Sequence, residues 1–232
     1  MLIIQDDLAN TYEGSLMGML IMHNVVNLPS HEKLNVIKSQ LTGLLREKYS
    51  EITRNELKSL HPLNVYVSYY KKFGYNYHVL FQLESIISRG KSIPNVSSLV
   101  EAMFMAELKN MLLTAGHDLT KVNFPLHFKI SSQKESYIGF SGKELQAVPG
   151  DMMLVDSDGI ISSILRGPDS RTCIDPATRQ VLFTVYSPPG INESLVHQHL
   201  NDIEFYIRIF SGEAITHLKE VYKVARASDS QN

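Results

Sequence analysis

Apolar positions change their period along the chain. Residues 14–27 (GSLMGMLIMHNVVN) mix small and apolar side chains with no charge, the pattern of a buried strand ending in a polar turn. From His31 to Leu60 the apolar positions Leu34, Ile37, Leu41, Leu44 and Leu45 recur at helical spacing between charges, which predicts helix. His61-Pro62 interrupts that period, and the stretch after it concentrates Tyr66, Tyr69, Tyr70, Tyr75 and Tyr77. A short helix is predicted near HVLFQLESIISRG, closed by Gly90 and followed by the loop KSIPN. EAMFMAELKNMLLTAGHD (101–118) then reads as one apolar helix capped at Gly116. Beyond Asp118 the texture becomes strands: PLHFKI, ESYIGF, DMMLVD, GIISSILR and QVLFTVY, separated by turn formers such as Ser141-Gly142, Pro149-Gly150 and Asp158-Gly159. From Asn192 to about Ala227 a helical pattern returns, and the tail SDSQN is expected to fray. Helices at both ends and strands in the middle predict a single α+β domain, a mixed sheet core flanked by helices, with helical extensions at about 28–60 and 192–227.

The charges inside the 101–118 helix raise a chemical question. Stepping about 100° per residue puts Glu107, Asn110 and Thr114 within one arc of roughly 60°, a solvent or cleft stripe. Glu101 and Lys109 fall among apolar neighbours, where an ionised group has to be paired or sit at a helix end. Ser98-x-x-Glu101 has the form of a capping box, and Lys109 reads as a side chain snorkelling to the surface or as a ligand contact. His117-Asp118 reads either as a turn pair or as a base with its orienting carboxylate.

Composition narrows the classes. The chain has 232 residues, 44% apolar and 20% charged, which suits a soluble domain able to bury a core. No apolar run is long enough to cross a bilayer. The N-terminus carries early acids and no basic region, unlike a signal peptide. One cysteine, Cys173, excludes an internal disulfide framework and fits a reducing cytoplasm. A formal net charge of −2 leaves no global footprint for nucleic acid, so any such contact needs a local basic face.

Other clusters are less specific. The segment 164–175 gathers Arg166, Asp169, Arg171 and Thr172 around a Gly-Pro turn. It is either a hairpin turn with solvated charges or a loop presenting two guanidinium groups to phosphate or carboxylate. His197-x-His199 has no third ligand at metal spacing, and Cys173 has no Cys-His signature. No Walker loop, dinucleotide fingerprint or nucleophile elbow is present, so neither a metal nor a cofactor is expected.

The order of small motifs goes further. Phe73-Gly74, Ser88-Arg89-Gly90, Ile93-Pro94-Asn95-Val96, Leu99-Val100-Glu101, Gly116-x-Asp118, Pro149-Gly150-Asp151 and Asp156 follow one another, and an Arg-Thr loop precedes Thr178-x-x-Val181-Leu182-Phe183. Over roughly residues 60 to 190 this resembles the B3/B4 domain, the tRNA-binding and editing module of the phenylalanyl-tRNA synthetase beta chain. No synthetase core fits in 232 residues, which implies a module standing alone. Glu101 and Asp118 match the family's acids, but Ala115 stands where the family has a histidine. Gly167 to Thr172 replaces the glycine-rich editing loop, and Thr184 stands at the position of the Glu that reads a tyrosine hydroxyl.

The resemblance implies hydrolysis of the ester of a mischarged aminoacyl-tRNA, a second sieve where binding alone cannot reject a near-cognate amino acid. The cleft is then expected between the 101–118 helix and the 164–184 hairpin. The departures point away from tyrosyl-tRNA(Phe) and towards resemblance with editors acting in trans, including those that clear canavanine from tRNA(Arg). His117 and Asp118 are the catalytic candidates. Glu107, Lys109, Asn110, Asp169 and Thr184 are the candidates for reading the amino acid, with Asp118 a further carboxylate for a guanidinooxy group. Arg166, Arg171 and Thr172 are expected at the RNA end, and Lys71, Lys72, Arg89 and Lys91 along the acceptor stem. The alternatives are a non-catalytic module of the same fold that binds an amino acid or small metabolite, and a protein-interaction domain using the Tyr66–Tyr77 surface.

Overall fold

Strand β2 (Leu16–His23) is buried at all but its last position because it has a neighbour on each edge and packed layers on its faces. The computed structural model describes residues 1–132 and 135–226. In chain order the elements are β1 (Leu2–Ile4), α1 (Asp6–Thr11), β2, α2 (Glu32–Lys48), α3 (Arg54–Ser59), α4 (Leu63–Lys72), α5 (His78–Arg89), α6 (Ser98–Asn110), β3 (Leu113–Asp118) and β4 (Leu126–Ile130). They continue with β5 (Ser136–Ile138), β6 (Glu144–Gln146), β7 (Met152–Asp156), β8 (Gly159–Ser163), β9 (Gly167–Pro168), β10 (Gln180–Ser187), α7 (Glu193–Phe210) and β11 (Ile215–Lys223). This mixed content forms one α+β domain. No helix among the described residues is long and apolar enough to cross a membrane.

Two sheets organise the core. An antiparallel sheet runs β11-β2-β10-β3, and a second runs β1-β4-β7-β8-β9 with only β1 and β4 parallel. Helix α7 lies on the first sheet over β2, where Gly18 allows the approach: a Cβ there would sit 2.7 Å from Val196 Cγ1. Helix α6 packs beside α7 and against β3.

The tyrosine-rich stretch forms α4 and its exit, and it ties the sheets together. Tyr66 Oη donates to Tyr186 O of β10, Tyr69 Oη to Asp151, and Tyr70 Oη to Ile164 O. Tyr66 and Tyr77 stack with ring centroids 4.6 Å apart. Burying a tyrosine is favourable when its hydroxyl finds an acceptor, and all of these do. Tyr66, Tyr69, Tyr70 and Tyr77 are therefore core residues rather than a contact surface.

The helical run expected over 31–60 is present as two helices, α2 and α3, with Thr53 and Glu56 forming a capping box at the second. Two expectations are corrected. The helix expected over 101–118 ends at Asn110, where Met111 adopts φ 60° and its N–H bonds to Glu107 O; the chain then turns into β3. Gly116 is therefore a strand residue. A Cβ there would meet Ile174 Cδ1 at 2.8 Å, so glycine lets that side chain close against the strand. The helix expected over 192–227 stops at Phe210, and Ile215–Lys223 instead form an edge strand beside β2. The tail from Ala227 onwards lies outside the described residues.

Candidate functional site

A cavity of about 420 Å³ opens where the β3 edge of one sheet meets the β8–β9 end of the other, under α6. Val100, Met103, Phe104 and Glu107 line it from α6, Leu113 to Gly116 from β3, and Ser163, Pro168, Cys173 and Ile174 from the opposite wall. Phe140 also lines it yet is 72% exposed, so this ring stands at the mouth. The wall is almost wholly apolar, and among the described residues its one acidic side chain is Glu107.

Glu107 sits on the last turn of α6, 1% exposed. Oε1 accepts the Thr114 N–H at 2.8 Å, which ties the helix end to β3. Burial raises the carboxyl from 4.5 to about 8, against which the single N–H bond is a weaker opposing effect. At neutral pH the group is therefore mostly protonated.

The stripe expected from Glu107 through Asn110 to Thr114 is divided by the turn at Met111. Asn110 Nδ2 donates to Asp202 at 2.8 Å, and Lys109 Nζ pairs with the same carboxylate at 2.8 Å. Thr114 Oγ1 and His199 Nε2 lie 2.7 Å apart. Lys109 and Asn110 thus fasten α6 to α7 and are not on the cavity wall. Glu101 does reach a backbone N–H, that of Val96 at 3.0 Å, but its main partner is Lys38, whose Nζ lies 2.6 Å away in a buried ion pair. Ser97, not Ser98, is the N-cap, and it makes no side-chain capping bond.

His117 and Asp118 do not form a dyad. As neighbours on a strand they point to opposite faces. His117 is fully buried, with Nδ1 2.7 Å from Thr172 Oγ1 and Nε2 3.5 Å from Ser162 Oγ. Thr172 gives its own proton to Asp169, so His117 Nδ1 is the donor in that pair. Burial lowers the imidazole to about 3, and it stays neutral. Ser162 in turn bonds Tyr186, completing a hydrogen-bonded chain from β10 through β8 and β3 to the 169–172 loop. Asp118 accepts from Thr120 N–H and Thr178 Oγ1, which fastens the start of β10.

The arginine loop is similarly engaged. Arg171 grips both oxygens of Asp156 at 3.0 and 2.8 Å and donates to Lys121 O. Burial opposes ionisation of Asp156, but the guanidinium and two backbone N–H groups outweigh it and hold this carboxyl below its usual range. Asp169 is buried, and desolvation raises it. Arg166 is exposed, its guanidinium 5.1 Å from the Tyr75 ring centroid. Thr184 is buried opposite Ala115, and among the described residues its hydroxyl has no partner. Of the candidate catalytic, amino-acid-reading and RNA-end residues, only Glu107 is on the cavity wall, joined there by Thr114 of the expected stripe. The residues missed by sequence reasoning, such as Met103, Phe104, Phe140 and Ile174, carry no motif; Phe140 could be found only as an apolar residue beside the Ser141-Gly142 turn.

No family model matches the chain. It is similar to the phenylalanine–tRNA ligase beta subunit of Mycoplasma pneumoniae, 28% identical over 97 residues, which is 41% of this chain and 12% of that protein. The same subunit of Mycoplasma genitalium is 28% identical over 69 residues, 30% of this chain and 9% of that one. An N-terminal fragment of the phenylalanyl-tRNA synthetase beta-subunit from Pyrococcus horikoshii aligns with 95% of this chain and 49% of its own, at TM-score 0.46 and 12% identity. The matched stretches are about a tenth of the bacterial subunits' length. Sequence similarity to the synthetase beta chain, read above from the order of motifs, is present at this level.

Proposed function

We propose that this chain hydrolyses the ester of a mischarged aminoacyl-tRNA, holding the amino acid in the cavity beneath α6. The observation that supports this reading is the cavity's position. It lies under α6 and against residues 163–174, which overlaps the expected cleft between the 101–118 helix and residues 164–184, although β9 and β10 there belong to different sheets and form no hairpin. The similarity to a tRNA ligase subunit supports tRNA as the partner.

The chemistry asks little of the walls. Water attacks the ester carbonyl, the ribose hydroxyl leaves, and the amino acid departs as its carboxylate. An activated ester held in one orientation beside an ordered water gains most from positioning. Phe140 at the mouth offers an aromatic face to the terminal base. Arg166, exposed beside Tyr75, remains available to phosphate, whereas Arg171 and Thr172 serve the fold first.

A second reading, a module that binds an amino acid without hydrolysing its ester, is favoured by one observation. His117, one of the two catalytic candidates from the sequence, is walled in and neutral. One assay separates the two. The protein is incubated with a panel of mischarged tRNAs, canavanyl-tRNA(Arg) among them, and release of the amino acid is followed. Accelerated release from at least one is expected; no acceleration from any favours the binder.

A further inference from the structure

Glu107 is the exception among the buried carboxyls. Glu101, Asp156 and Asp202 each face a cation within 2.8 Å: Lys38, Arg171 and Lys109. Asp151 lacks one, but Tyr69 Oη and Leu165 N–H donate to its two oxygens. Asp118 accepts from Thr120 and Thr178, and Asp169 accepts from Thr172 and has Arg171 Nε 3.6 Å from its other oxygen. Glu107 receives only the Thr114 N–H at Oε1, and among the described residues nothing donates to Oε2. Its side chain lines the cavity, and among the described residues no lysine or arginine is on that wall.

An ionised carboxylate in an apolar wall is costly unless it is paired. Among the described residues no lysine or arginine pairs with Glu107, so its ionised form gains a partner only from the occupant. We propose that the cavity binds a ligand with an apolar body and a cationic nitrogen, ammonium or guanidinium, that takes Glu107 as its counter-ion. Binding then exchanges one proton for one ligand cation: Glu107 releases its proton to solvent, Oε1 keeps the Thr114 N–H, and Oε2 accepts from the ligand. The other titratable groups on the wall are His78 from α5, Tyr186 from β10 and Cys173. His199 and Asp202 of α7 are held by Thr114, Asn110 and Lys109. This inference rests on reading the cavity as the amino-acid site, where the cation has two sources, the α-ammonium of any aminoacyl ester or a basic side chain.

Three probes distinguish them by NMR titration of the intact protein: leucinamide carries only the α-ammonium, N-acetylargininamide only the guanidinium, and N-acetylleucinamide neither. At least one charged probe should bind, and Glu107→Gln, which keeps an acceptor for Thr114, should weaken it at least about tenfold. Leucinamide alone identifies the α-ammonium, and N-acetylargininamide alone the side chain. If the guanidinium probe binds, its affinity should rise by up to about tenfold per pH unit towards pH 8 and then level. Equal binding of the neutral probe, binding of none, or charged-probe affinity unchanged in Glu107→Gln would overturn the inference. Glu107-dependent binding without hydrolysis of any mischarged tRNA would overturn the deacylase reading and leave this one standing. Hydrolysis with probe binding indifferent to Glu107 would do the reverse.

Discussion

Glu107 and Arg171 show how burial divides residues that look alike in a sequence. Both are charges in suggestive segments, but Arg171 has two carboxylate oxygens in its grip and Glu107 has one backbone N–H. The unfolded chain ionises Glu107 near 4.5 and the folded chain near 8. Its contribution to stability is therefore fully present below about 4.5, declines as pH rises, and is lost above about 8. Chemical denaturation at pH 5 and pH 8 should show wild type losing more stability across that interval than Glu107→Gln. Equal losses would contradict the assignment. Arg171→Ala should lower unfolding free energy by about 1.5–3 kcal/mol, the usual value of hydrogen bonds to a charged group, and Arg171→Lys should not restore it because lysine lacks the two-pronged fork. A denaturant series on both variants checks this, and a stable alanine variant would return Arg171 to the list of free RNA contacts.

At the scale of elements, strand and helix identities were legible where side chains repeat and illegible where a stop depends on a distant partner. The buried strand at 14–27 and the β7 and β10 strands are read directly from apolar runs between turn formers. The end of α6 was missed because the left-handed residue that stops it is Met111, not a glycine, and Gly116 offered a false stop five residues beyond it. Strand β11 was missed because its inner-facing residues, such as Leu218 and Tyr222, also fit a helical continuation of α7. Glu101 was half legible: it does reach back to a backbone N–H, but Lys38, 63 positions away, is invisible to local spacing. That pair ties α2 to the start of α6. Lys38→Met should destabilise the protein by roughly 3–5 kcal/mol by stranding a buried carboxylate, and adding Glu101→Leu should recover part of the loss. A double-mutant cycle measures it; a neutral single variant would mean the pair is solvated in solution.

For the whole molecule, the order of motifs carried the resemblance to a tRNA synthetase beta chain, while the cavity was beyond any motif because its walls come from α6, β3, the β8–β9 turn and the 139–140 bend. On the proposed reading, a molecule of net charge −2 leaves contact with RNA to local positives such as Lys71, Lys72, Arg89, Lys91 and Arg166. Binding of tRNA should accordingly be weak and fall steeply between about 50 and 200 mM salt, as expected when phosphate contacts dominate; a salt-independent affinity would argue against a phosphate interface. The central claim is that mischarged aminoacyl-tRNA is hydrolysed in the cavity under α6. Val100, half-buried on that wall, can be replaced by tryptophan to fill the space. The most direct measurement is the single-turnover deacylation rate of wild type and Val100→Trp on the same mischarged tRNA, with thermal unfolding recorded for both. The expected result is at least a tenfold slower variant with an unchanged unfolding transition; equal rates would contradict the claim.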